Sequence, residues 1–175
     1  MTLPSVFYVV SRGTLWYNKQ VMKKEEKGFM KEVIVRIKSI QVSREAGDDE
    51  MEFVTEAQLY QRGGATYLIY DESELSGIPG CKTRLRLKGD EVQMKRFGEG
   101  PGCNSELKFE KGKRYNGFYD TPFGPIEIEI LTNSLEGGFM ETEEGEPGQG
   151  EFNIDYEISL KGLLEGRNRL NIKVM

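Results

Sequence analysis

Four polar side chains stand where an alternating strand pattern would place apolar ones. Thr55 follows Phe53 in phase, Arg96 follows Val92 and Met94, Thr132 follows Ile130, and Tyr156 lies between Ile154 and Ile158. A guanidinium in phase with a core needs a partner, because an unpaired buried charge is costly. Inside a small barrel Arg96 could hold a carboxylate or phosphate bidentately, with Tyr156, Thr132 and Thr55 supplying hydroxyls. The competing expectation is that Arg96 ends its strand beside Gly98, with its stem packed and its head in water.

Other chemistry is scarcer. The sequence has no histidine, which excludes Ser-His-Asp triads, Cys-His dyads, histidine metal sites and histidine pH switches. Glu127 and Glu129 alternate with isoleucines and should face water, where a carboxyl keeps no raised pKa for general-acid work. No convergent acid, base and nucleophile can be assembled, so no catalytic residue, metal or cofactor is expected. The net charge of −5 argues against a nucleic-acid partner, which generally needs a basic face. No apolar run approaches the length of a membrane helix. Cys81 and Cys103, the two cysteines, sit in Pro-Gly-Cys contexts and read as separate free thiols in a reducing cytoplasm.

Two charged features read most simply as solvated surface. The stripe Lys82, Arg84, Arg86, Lys88 occupies the outer phase of its strand, with Glu106 and Glu110 as expected partners on a neighbour. The segment 137–150 contains four glutamates, no base and many glycines. It reads as a mobile acidic loop without the ligand spacing of a calcium site. Tyr60, Tyr67, Tyr70, Tyr115 and Tyr119 could stack on a ligand, but tyrosine is also simply a good strand residue.

Positioning these residues falls to β-strands. Period-2 runs such as Lys82–Lys88, Ile126–Ile130 and Ile154–Leu160 place one face of each strand on a core and the other in water. Strands are expected at about 31–43, 51–62, 65–72, 82–89, 91–98, 104–110, 113–120, 124–133, 151–162 and 167–174. Short glycine turns at 62–65, 88–91 and 111–113 make sequential strands neighbours. A meander of about 8–10 strands should curl and close, which removes its edges. The expected interior includes Val33, Val35, Ile37, Phe53, Leu59, Leu85, Leu87, Val92, Met94, Leu107, Phe109, Ile126, Ile128, Ile130, Ile154, Tyr156, Ile158, Leu160, Leu170, Ile172 and Val174. The fold class is therefore all-β: one closed antiparallel barrel over residues 30–175, with no helix of substance.

Residues 1–29 differ in character. They hold five bases against two acids, and their short apolar run Val6–Val10 makes no export signal. Lys24-Glu25-Glu26 is what a purine-rich ribosome-binding sequence would encode if read through, a few codons before Met30. The expectation is an over-extended start or a disordered N-terminal extension.

Met94-Lys95-Arg96-Phe97-Gly98, Leu107–Gly112, Tyr119-Asp120-Thr121-Pro122-Phe123-Gly124 and Leu131-Thr132, with the later Asn153–Tyr156, together resemble the YwiB-like family of small bacterial proteins. The resemblance covers about Met30 to Val174, and Tyr119-x-Thr121-Pro122-x-Gly124 is its most specific piece. Physically that piece turns a strand: Pro122 donates no ladder bond, Gly124 frees the backbone, and Thr121 can cap through its hydroxyl. The resemblance implies a calycin-type (lipocalin-like) barrel, a bacterial and cytoplasmic setting, and no established activity. Two functions fit: a carrier that binds a small anionic or amphipathic ligand inside, or a side-chain-filled module that docks a protein.

Overall fold

The structure is a computed structural model; it describes residues 10–11, 14–15, 30–42, 47–100, 102–121, 123–142, 145, 147–160 and 165–175. Two short strands, β1 (Val10–Ser11) and β2 (Thr14–Leu15), pair with each other near the N-terminus. The remainder of 1–29 lies outside the described residues, and with it the expectation of an extension or misplaced start.

From Met30 onward the chain is a closed antiparallel barrel of ten strands. They are β3 (Met30–Val42), β4 (Asp49–Arg62), β5 (Ala65–Asp71), β6 (Cys81–Lys88), β7 (Glu91–Gly98), β8 (Glu106–Glu110), β9 (Arg114–Thr121), β10 (Gly124–Glu141), β11 (Pro147–Ser159) and β12 (Glu165–Val174). Every strand pairs with its chain neighbours, and β12 closes on β3 through Ile172 opposite Ile37. The expected meander is thus observed, in the expected order. One short 3-10 turn, Glu74–Ser76, lies between β5 and β6. Gly63 and Gly64, both at positive φ (59° and 71°), form the two-residue turn between β4 and β5. This conformation matches the right-handed twist of the flanking strands and is open mainly to glycine and asparagine.

Alternation decides what lies inside. Val35, Leu59, Leu68, Leu85, Phe109, Ile130, Ile154 and Ile172 are almost wholly enclosed and belong to one core cluster. Each contributes on the order of 2 kcal/mol by leaving water. Strands β4 and β11 come into contact across the barrel, so the interior is narrow there. Ile126, expected inside, is 42% exposed, because it sits two residues from the β9–β10 turn, where the strand leaves the core.

Two expectations are corrected here. Residues 137–150 are not chiefly a loop. Gly137–Glu141 finish β10 and Pro147–Gly150 begin β11, with Gly138 opposite Glu151 and Phe139 opposite Gly150. Gly137 and Gly150 serve close strand approach, since a Cβ at Gly137 would run into the Glu151 carbonyl and one at Gly150 into that of Gly138, whereas Gly138 and Gly145 stand in open space. Nor are the cysteines free: Cys81 and Cys103 form a disulfide with Cα atoms 5.5 Å apart. The fold brings the first residue of β6 against the 102–105 segment, and both sulfurs are buried with Ile78 in a small cluster of their own.

Candidate functional site

The register of three adjacent strands builds a polar row on the inner wall. Tyr70 on β5 stands opposite Thr83 on β6, and Thr83 opposite Arg96 on β7. Opposed residues share a face, so all three side chains point inward. Glu72 continues the period of Leu68 and Tyr70 one step past β5. Its amide donates to the Cys81 carbonyl at 2.9 Å, which turns the chain back toward β6. The Glu72 side chain is 2% exposed and lies 3.6 Å from Arg96 Nε. The Thr83 hydroxyl donates to Glu72 Oε1.

Arg96 is held by its backbone as well. Its amide donates to the Ser105 carbonyl (2.8 Å) and its carbonyl accepts from Asn104 (3.1 Å). Asn104 sits at φ 71° to make that turn, a conformation asparagine tolerates better than most residues. The Arg96 side chain is 24% exposed, so one part of it reaches solvent. Its Nε is buried and makes no hydrogen bond; 3.6 Å to a carboxylate is an ion pair without one. The expected strand-end arginine with its head in water is therefore half right: the head has an acid beside it, within the wall of the barrel.

Electrostatics follow from burial. Tyr70 is buried, and loss of water pushes its phenol far above the ordinary tyrosine value; Glu72 adds to the rise while the Arg96 charge and the Thr83 hydroxyl oppose it. Tyr156 is likewise pushed up by desolvation, again opposed by the charge of Arg96. Arg96 and Tyr156 thus feel one another across the interior. The Tyr156 ring packs on Phe109, centroids 4.9 Å apart.

The sequence-predicted residues are partly brought together. Thr132 is the cross-strand partner of Tyr156, is fully buried, and leaves Oγ1 without a hydrogen-bond partner. Thr55 does face inward on β4 between buried Phe53 and Ala57, but it is only half-buried and its hydroxyl reaches no further than the Glu56 carbonyl, 3.5 Å away. Glu72 and Thr83 were not singled out from sequence, and Tyr70 was named only as one of five tyrosines that could stack on a ligand. Their signal was present, since Tyr70 and Glu72 follow Leu68 in phase and Thr83 lies between Cys81 and Leu85.

The turn residues behave as their types require. The Thr121 hydroxyl accepts from the Phe123 amide (3.2 Å) and donates to the Gly124 carbonyl (2.7 Å). Gly124 has φ 110°. Pro122 lies outside the described residues, and Tyr119 packs against the core. On the outer wall, Lys82 pairs with Asp71 (2.6 Å) and Arg86 with Glu91 (3.3 Å). Glu106 instead accepts from Gln93, and Glu110 from Tyr115 and Lys113. The stripe is solvated and paired, with different partners from those expected, because strand register sets the neighbours. Tyr60 and Tyr67 stack on each other at 4.8 Å.

No curated protein matches the chain. Among solved structures it is similar to the ywiB protein from Bacillus subtilis, with 20% identity and a TM-score of 0.68, over 83% of this chain and 91% of that one. At that identity the likeness concerns the fold alone. Residues 35–172 match the family model described as a domain of unknown function, DUF1934. That match runs from Val35 of β3 to Ile172 of β12 and so spans the ten-strand barrel with its inner polar row; the chain belongs to the DUF1934 family.

Proposed function

We propose that this chain is a non-enzymatic β-barrel that holds a small anionic or amphipathic molecule at the polar part of its interior, anchored by Arg96. The observation that carries this reading is the inward guanidinium whose buried Nε has no hydrogen bond. Buried polar groups are normally satisfied, and one that is not calls for a water, ion or ligand. Thr132 Oγ1, also buried and unbonded, and the hydroxyl of Tyr156 supply further polar points among apolar walls. Such walls with a few convergent polar groups are what small-molecule sites require. Glu72 acts as the resident counterion, so an entering anion competes with it for Arg96.

The test is native mass spectrometry of protein purified from a bacterial host. A co-purifying small molecule is expected, lost in Arg96→Ala and retained or enriched in Glu72→Gln, where the competing carboxylate is gone. A clean apo mass for the wild type would overturn the reading in favour of the second one, a side-chain-filled barrel that docks another protein. The narrow, apolar interior between β4 and β11 is what favours that second reading. A bacterial, cytoplasmic setting is what the family resemblance implies. There the Cys81–Cys103 bridge would face reducing thiols, and alkylation of the chain in fresh cell extract reads its state directly.

A further inference from the structure

We infer a second binding site, on the outer wall formed by β11, β12 and β3, for a small organic anion that carries a hydrogen-bond donor next to its charge. A groove of about 410 Å³ lies there, lined among others by Arg36, Lys38, Asn153, Asp155, Arg169 and Asn171. Where β3 and β12 pair, five of the eight outward residues are bases (Arg36, Lys38, Arg167, Arg169 and Lys173), set side by side by the register. Arg36 faces Lys173, and Lys38 faces Asn171. Over that stretch the acids come from the flanking strands. Glu50 on β4 takes Lys38 (2.7 Å), and Asp155 on β11 takes Arg167 (2.8 Å) and Arg169 (3.3 Å). Glu151 reaches Lys173 only at 3.9 Å.

Arg36 is left over. Its neighbours across the two ladders are Lys173 and Val54, and its Nε is buried without a hydrogen bond. Like charges directly opposite on a sheet repel, and an anion on Arg36 relieves that; Lys173 itself does not line the groove. Asn171 supplies the second half of the site. Its Nδ2 donates to Glu151 (2.6 Å) and Asn153 (2.7 Å). Those two acceptors fix the amide's orientation and leave Oδ1 buried with no donor. Arg36 and Asn171 are diagonal neighbours across the β3–β12 ladder, roughly 7–8 Å apart with their Cβ atoms somewhat closer. A phosphate or carboxylate on Arg36 with a hydroxyl or amine reaching Asn171 fits that spacing. The sheet wall separates this groove from the interior site, so the two stand or fall independently.

The experiment follows the Arg36 Nε–Hε resonance of ¹⁵N-labelled protein during titration with glycerol 3-phosphate, malate, inorganic phosphate and glycerol. A saturable shift is expected with glycerol 3-phosphate or malate, and whichever binds identifies the anion as phosphate or carboxylate. Inorganic phosphate should bind roughly tenfold more weakly than glycerol 3-phosphate if phosphate is the anion, for want of the donor. Glycerol should do nothing. By amide spectra and calorimetry, R36Q should be folded and silent, and R36K, which keeps the charge but loses the buried Nε, should bind several-fold more weakly. N171L should abolish the advantage of the donor-bearing anion, and R96A should change nothing. No saturable shift with either organic anion, or binding that survives R36Q, overturns the inference. Equal binding of inorganic phosphate and glycerol 3-phosphate removes the role of Asn171.

Discussion

Glu72 and Arg96 meet inside the barrel wall with Oε1 3.6 Å from Nε, the acid enclosed and the base one-quarter exposed. Glu72 lies one residue past β5 and Arg96 on β7, and they share Thr83, whose hydroxyl donates to the acid and whose backbone lies opposite the base. Removing one member of a buried pair leaves the other uncompensated, which is costlier than removing both. Arg96→Ala should therefore lower stability by about 3 kcal/mol in urea unfolding at neutral pH. Arg96→Ala combined with Glu72→Gln should recover about 1–2 kcal/mol of that loss. Simple additivity of the two single changes would show that the pair is not coupled.

The disulfide ties β6 to the segment that holds the Arg96 backbone, through Cys103 next to Asn104 and Ser105. It closes a loop of 22 residues in sequence separation, for which chain entropy suggests about 3 kcal/mol. Reduction, or Cys81→Ser with Cys103→Ser, should lower Tm by roughly 6–12 °C for a barrel of this size. Scanning calorimetry with and without dithiothreitol measures this. An unchanged Tm would mean that the bridge constrains nothing beyond what the barrel already holds.

Stability should fall at both ends of the pH scale, for opposite reasons. Tyr70 has a raised pKa in the fold, chiefly by burial. Its contribution is complete below the unfolded tyrosine value of about 10 and is lost as pH rises beyond it. Asp155 has a lowered pKa, first through its bond to Arg167 and then through Asn133 and Arg169, against opposing desolvation. Its contribution is complete above about pH 4 and is lost as pH falls through the folded value. The Arg167 and Arg169 side chains are about half exposed, so water screens the cluster to about 0.5–1 kcal/mol. Tyr70→Phe should flatten the alkaline limb and Asp155→Asn the acid limb in unfolding followed by circular dichroism. Limbs identical to wild type would assign the pH dependence to other groups.

Gly137, at φ 91°, meets the Glu151 carbonyl at the close approach of β10 and β11. Alanine there adds both a strained backbone and a clash with backbone that has little room to shift. Gly137→Ala should cost about 2 kcal/mol or more. Gly138, whose surroundings are open, should accept alanine at a small cost, and the contrast between the two in denaturant midpoint is the measurement. Equal effects would return 137–150 to the status of a loop.

Much of this protein is set locally and so can be read along the chain. Ten runs of alternation mark ten strands, because the period of a strand is a property of its own residues. Glycine turns at Gly63-Gly64 and Gly89 make neighbours of successive strands, and closure follows from the number of strands that must hide their edges. The inward phase of Arg96, Thr132 and Tyr156 is legible for the same reason. What each side chain meets is decided only when the sheet closes. Register sets Thr83 opposite Arg96 and gives Lys82 and Arg86 Asp71 and Glu91 as partners. The turn after β5 drives Glu72 inward, which the polar run Asp71-Glu72-Ser73-Glu74 does not reveal along the chain. The glycine-rich stretch 137–150 reads as a loop along the chain, while in the fold Gly137 and Gly150 serve close strand approach. Cys81 and Cys103 are two thiols in the sequence, and the fold alone places their Cα atoms 5.5 Å apart. Contacts between distant segments depend on register and closure, and no local pattern encodes them.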